Sequence, residues 1–185
     1  MKSTKIYFLN LLLIFTPFMV NAQLFITKAL DVGFFSETPM ENIDAQSKIG
    51  TSIINTQTSD VVFKIPMISF KFKNALMEEH FNENYMESTK YPNGEFKGKI
   101  NEKLDWTKDG VYKVTVTGKL SIHGVEKDRT IPGTITIAGQ NISVDSKFDV
   151  PLKDHNIEVP KLVIKNIAEI ISVKVKGNYQ PYKKK

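Results

Sequence analysis

The sequence predicts an all-β protein: an extended, closed, eight-stranded antiparallel barrel with one short amphipathic helix near one mouth. Three observations carry this expectation. The second half of the chain alternates apolar and polar residues with period two over long stretches. Short clusters of turn residues separate those stretches, which is the pattern of a meander. One mid-chain segment, 75–85, changes to helical spacing. A run of long strands with one apolar face each would leave unpaired edges and an exposed apolar sheet, and closure into a barrel removes both.

In chain order, 24–35 and 48–55 read as strands, less regular than those that follow. In VVFKIPMISFKF (61–72), Val61, Phe63 and Ile65 share a face, and Ile68, Phe70 and Phe72 resume the alternation. Pro66 interrupts the phase and cannot donate to a ladder, so a bulge or an edge is expected there. The helix over 75–85 has Asn74 as N-cap, Glu78 and Glu79 near its positive end, and Leu76, Met77, Phe81 and Tyr85 in one stripe. That stripe must land on the barrel, as a plug or a flank of one mouth. A strand over 94–104 follows through Phe96, Gly98 and Ile100.

The clearest alternation is KVTVTGKLSIHG (113–124), with Val114, Val116, Leu120 and Ile122 on one face. Ile131, Ile135 and Ile137 mark the next strand, and Ile142, Val144, Phe148 and Val150 the one after. The last, within 168–182, turns Ile171, Val173, Val175 and Tyr179 inward. Turns are expected at 108–110, 123–124, 139–141 and 153–156. The count is about eight strands, at which a barrel can hold one small ligand.

The chain has 185 residues, enough for one domain. With 41% hydrophobic and 24% charged residues it can bury a core, which excludes a disordered polymer. Residues 1–22 read as a cleaved secretory signal: Lys2 and Lys5, an apolar run over 6–20, and Val20-Asn21-Ala22 before the cut. The alternative, an N-terminal membrane anchor, calls for about 20 apolar residues. The barrel domain is then expected over 23–180, with a basic tail at 181–185. Loss of Lys2 and Lys5 lowers the formal charge from +5 to +3, and Lys183, Lys184 and Lys185 account for that remainder. The near-neutral body gives no nucleic-acid footprint. No cysteine is present, which rules out disulfides, thiol chemistry and Cys-ligated zinc.

No catalytic constellation stands out. His80, His123 and His155 are the histidines, without paired-ligand spacing, so no metal and no cofactor is expected. Ser121 and His123 share a polar face but lack a Gly-x-Ser-x-Gly elbow. His123, before Gly124, reads as a turn residue and His80 as a helix-face hydrogen-bonder. Glu78 and Glu79 diverge by about 100° and form no carboxylate pair.

Three stretches carry a resemblance. The first has Glu79, His80 and Phe81, then Tyr91-Pro92, then Phe96 and Gly98. The second, VTGKLSIHGV, has Val116, Gly118, Leu120, Ile122, His123, Gly124 and Val125. The third is SKFDVPLKDHNIEVP. Together, and with FFSETPMENIDA (34–45), they resemble the YceI-like family over about 24–180. Many members carry a His-Ser motif, a G-x-F element and an Arg-Asp pair before the helix. Here neither His-Ser nor Arg-Asp is found, and Lys73-Asn74 occupies the latter place. The resemblance implies a lipocalin-like barrel with an elongated apolar interior. It implies isoprenoid lipids or long-chain amphiphiles as partners, and the periplasm in preference to the exterior.

Large adaptable side chains cluster near the expected mouth. The residues expected to touch a ligand are Phe63, Ile65, Phe70 and Phe72 before the helix, Met77, Phe81 and Met86 in and after it, and Phe96, Val116, Leu120, Ile122 and Phe148 on later strands. Gly98 and Gly118 either make room or allow sharp curvature. The function expected is sequestration or carriage of the lipid, without chemistry and without stable membrane insertion after cleavage. Two other readings stay open: a solid-core stress-response or interaction module, and an enzyme on isoprenoid or quinone precursors. A homodimer is also left open.

Overall fold

The computed structural model describes residues 24–160 and 167–183. The expected signal peptide and the last two lysines lie outside them. Among the described residues the chain forms nine strands: β1 (Leu24–Glu37), β2 (Asn42–Asn55), β3 (Asp60–Pro66), β4 (Lys71–Phe72), β5 (Asn93–Ile100), β6 (Gly110–Ile122), β7 (Val125–Ala138), β8 (Asn141–Pro151) and β9 (Ile170–Pro181). Eight of them close a ring in the order β1-β9-β8-β7-β6-β5-β3-β2, sealed by the antiparallel β1–β2 pair. The ninth, β4, is a two-residue addition to the top of β2, pairing Phe72 with Ala45.

The regular half folds as its alternation requires. β6 and β7 pair without a slip from Gly110↔Ile137 to Ile122↔Val125, and β8 and β9 from Ile142↔Tyr179 to Pro151↔Ile170. His123, with φ 51°, and Gly124 make the tight turn between β6 and β7, as expected of them.

The irregular half differs in its details, each for a physical reason. β1 slips register against β2 between Thr27 and Leu30 and again between Leu30 and Val32. Those bulges hide the phase of 24–35. β2 starts at Asn42, six residues before the expected position, because its polar first half still pairs with β1. β3 ends at Pro66, and Met67–Ser69 forms a 3₁₀ turn. The turn rotates the phase, so Met67 is buried while Ile68, expected to face inward, is 65% exposed. β5 stops at Ile100, and 101–109 runs beneath the barrel, where Leu104 and Trp106 pack on its lower core.

The helix is α only from Ala75 to His80, and a single π turn carries on through Phe81–Tyr85. Asn74 Oδ1 accepts from the Leu76 amide at 2.9 Å, the expected cap. Leu76 departs from the expected stripe and is 55% exposed, while Met77, Phe81 and Tyr85 face the barrel.

Gly98 and Gly118 sit opposite each other on β5 and β6. A Cβ on Gly118 would fall 2.2 Å from the Lys97 carbonyl oxygen, and one on Gly98 2.8 Å from that of Thr117. The backbones press together there, so these glycines provide a tight corner and no extra room. Gly118→Ala is expected to destabilise the fold by about 2–4 kcal/mol in urea unfolding. Gly33→Ala, whose Cβ meets its nearest neighbour at an ordinary 3.4 Å, should stay within about 0.5 kcal/mol of the parent.

Candidate functional site: an apolar cavity beneath the helix

The inward side chains fill the barrel unevenly. At the end where β7 turns into β8, Ile137, Ile142 and Tyr179 interlock as a floor. Tyr179 is buried and donates its hydroxyl to Ser52 Oγ at 2.8 Å. Burial pushes its phenol well above the ordinary range, so it stays neutral. Above this floor the side chains leave a gap at the centre. A cavity of about 350 Å³ opens between them and reaches up to the helix. That size lies at the lower end of the roughly 300–1,000 Å³ of small-molecule sites.

All twelve side chains expected to touch a ligand border this one cavity. Phe63, Ile65 and Phe96 come from the β3–β5 wall, Val116, Leu120 and Ile122 from β6, and Phe148 from β8. Phe70, Phe72, Met77, Phe81 and Met86 form the roof side. The sequence reading missed Phe34, whose phase the β1 bulges concealed. It also left unassigned Ile171, Val173 and Val175 of β9, although their alternation had marked them as inward-facing.

Phe34 is the hub of the roof. Its ring lies 5.2 Å from Phe70, 5.7 Å from Phe72 and 5.3 Å from Phe81, and Phe81 touches both others at 5.7 and 5.1 Å. Such ring pairs add about 0.5–1.5 kcal/mol each beyond area burial. The π turn begins at Phe81, and the Met86 amide donates to the Phe81 carbonyl at 2.8 Å. This wider turn rotates Tyr85 and Met86 toward the cavity after Met77 and Phe81. Glu78 ties the helix to the sheet. It accepts from Lys71 Nζ at 2.5 Å and from the Phe72 amide at 3.3 Å. The Lys71 hydrogen bond, first among several causes, holds the Glu78 carboxyl below its usual value. His80 borders the cavity, but its side chain makes no hydrogen bond among the described residues, so the hydrogen-bonding role expected of it is not seen.

The opposite side of the mouth is fastened by two histidines. His123 faces acceptors with both ring nitrogens: Glu87 Oε2 at 2.8 Å and the His155 carbonyl at 3.2 Å. The Tyr91 ring packs edge-on against it at 4.8 Å. His155 has no exposed surface; its Nδ1–H donates to the Val125 carbonyl at 3.0 Å, and its Nε2 is buried without a partner. These contacts pin the 3₁₀ turn Leu152–His155 over the β6–β7 hairpin. Leu152 then borders the cavity from above.

The cavity wall offers almost no polar atom to a ligand. Its polar members are Ser36, Glu41, His80, Tyr85, Glu95, Thr134 and Ser146. No cluster of three potential metal ligands occurs among the described residues. No helix among them is long and apolar enough to cross a membrane. The arrangement can exclude water from an apolar chain.

Burial lowers the His155 imidazole below its ordinary 6.5, outweighing the backbone bond that would raise it. The unfolded chain therefore gains a proton below that value while the folded chain resists it. Stability should fall on acidification from pH 6.5 and level off once the pH is below the folded value. The slope is at most about 1.4 kcal/mol per pH unit. Urea midpoints at about pH 7.5 and about pH 5.5 should diverge less in His155→Asn than in the parent.

Comparison with known proteins agrees with this architecture. None of the curated proteins matches the chain. A polyisoprenoid binding domain from Saccharophagus degradans, implicated in plant cell wall breakdown, superposes with TM-score 0.70 at 14% identity, covering 88% of this chain and 100% of that one. Burkholderia cenocepacia BcnA gives 0.67 at 17%, over 81% and 95% of the two chains. The Campylobacter jejuni YceI protein gives 0.61 at 17%, over 75% and 85%. At such identities these likenesses establish the fold. The profile of the YceI-like domain matches residues 31–179. That span holds all of the closed barrel but the start of β1 and the end of β9, together with the lone helix and the whole cavity roof, and with it the chain belongs to the YceI-like domain family.

Proposed function

We propose that the protein sequesters or carries an isoprenoid or other long-chain amphiphile, with the apolar chain in the barrel cavity. The observation that carries this reading is the unfilled, apolar-walled space of about 350 Å³ beneath the helix. A solid-core module would have no such space. The Saccharophagus degradans domain of the same fold, described as polyisoprenoid binding, supports the same class of ligand. The mechanism is transfer out of water, at roughly 25 cal/mol per Å² of apolar surface buried. No proton transfer or bond cleavage is part of it.

The reading includes export. The basic start, the apolar run and Val20-Asn21-Ala22 support cleavage after Ala22 and delivery to the periplasm or exterior. N-terminal sequencing of protein recovered from that compartment should begin at Gln23. Protein still beginning at Met1 would contradict it.

Mass spectrometry of organic extracts from purified protein should recover a prenyl or acyl lipid. Failure to recover one, together with no uptake of added polyprenol, would remove the reading. Titration with straight-chain alcohols gives a finer check. Each added methylene should tighten binding about fourfold, from about 0.8 kcal/mol per buried CH₂, until the cavity is full and the gain stops.

A further inference from the structure

The barrel wall has a seam. β7 runs from Val125 to Ala138 and β8 from Asn141 to Pro151, yet they pair only from Thr134↔Asp145 to Ala138↔Asn141. On their other sides both strands keep their ladders to the end, β7 to β6 and β8 to β9. Pro132 accounts for the break. Its carbonyl points toward β8, where it accepts from Ser146 Oγ at 2.6 Å. In an antiparallel strand the amide of that residue would face the same way, and proline has none. Above this point side chains hold the two strands together. The Arg129 guanidinium donates to the Asp149 carbonyl and lies 3.6 Å from Asp154.

The cavity reaches into this seam. On β6, β8 and β9 only alternate residues border it, and on β5 three in a row do, 94 to 96. On β7 five consecutive residues do, 131 to 135. Alternation can fail in this way where the void extends between strands. An outer groove meets it from the other side, sharing Val114, Pro132, Gly133, Thr134 and Ser146 with the cavity. Gly133 stands at the junction and leaves space between β7 and β8 that a side chain would fill.

The groove has a charge preference. Its carboxylates are already engaged: Glu102 accepts from the Thr115 amide and hydroxyl, and Asp145 pairs with Lys176 at 3.4 Å. Its lysines, Lys113 and Lys147, have no ion-pair partner among the described residues.

Building on the lipid-carrier reading, we propose that the β7–β8 seam is a side portal through which the ligand's chain enters, its anionic end resting in the outer groove beside Lys113 and Lys147. Opening below the His155–Val125 hydrogen bond, which stays as the upper tie, breaks no ladder bond above Thr134, only the Ser146 and Arg129 contacts. The bound class is a long-chain carboxylate or phosphate.

The absence of native cysteine permits a direct test. A Cβ on Gly133 would lie 3.7 Å from that of Ser146, within the span a disulfide bridges, and Gly133 needs no left-handed backbone. The Gly133→Cys/Ser146→Cys variant is mixed with neutral phosphatidylcholine vesicles carrying cis-parinaric acid, whose fluorescence reports uptake. The oxidised form should take up the probe about tenfold more slowly or worse, and dithiothreitol should restore the rate of the parent. Equal rates in both forms overturn the portal. If the double variant does not fold, Gly133→Leu fills the same space and is read the same way. A parent protein that takes up no probe overturns the lipid reading itself. Lys113→Glu with Lys147→Glu should weaken parinaric acid binding and leave its uncharged methyl ester unchanged. Inorganic phosphate that competes with the acid locates the site at the lysines, and equal loss of acid and ester overturns the head-group assignment.

Discussion

Closure of the sheet is the constraint on which the rest depends. β1 pairs with β2 on one side and with β9 on the other, so the ring of eight strands closes, and backbone edge is left unpaired along the upper β7–β8 seam. Once closed, each strand has one face committed to the interior, and the sequence must supply apolar groups there. It does so with Ile, Val and Phe at alternate positions of β3, β6, β8 and β9. The ladder also fixes how far apart the walls stand. Side chains meet at the floor, as Tyr179 does, but leave a gap at the centre higher up, and a rigid ladder prevents the walls from collapsing onto that gap. An apolar void of this kind holds water poorly, and its lining lacks contact partners on one side. Both deficits are removed when an apolar chain enters.

The lone helix follows from the same constraint. A closed barrel with a hollow upper half exposes apolar surface at its mouth. Met77, Phe81 and Tyr85 cover it, and Phe34 receives Phe81 together with Phe70 and Phe72. The helix is held by few polar ties, chiefly Glu78 to β4 and the Ser88–Asn82 pair behind it. The far side of the mouth is fastened differently, through the two histidines. The seam at Pro132 is a third kind of boundary, one where the ladder simply ends. Roof, clasp and seam all surround the same void, and each uses side chains where the remainder of the wall uses backbone.

Much of this was legible in the sequence, but unequally. The alternation of β6, β8 and β9 placed Val116, Leu120, Ile122 and Phe148 on the inner wall without help, because those strands pair without slips. The family resemblance is carried by sequence alone, through Tyr91-Pro92, Phe96, Gly98 and the turn Ile122, His123, Gly124 and Val125. What escaped has a common cause, a local change of phase. Two bulges concealed Phe34, the 3₁₀ turn after Pro66 turned Ile68 outward and Met67 in, and Leu76 fell at the edge of its stripe. The clasp was out of reach for another reason. Glu87, His123 and His155 are far apart in the chain, and only the folded hairpin and turn bring them together.

The central claim is that the barrel is hollow and dry beneath its helix, and xenon answers it most directly. Xenon enters apolar cavities that hold no water. Diffraction from crystals held under xenon pressure should show the gas among Phe63, Leu120 and Phe148, in the space those side chains border. Crystals without xenon there, showing those three side chains in mutual contact or ordered water between them, would contradict the account.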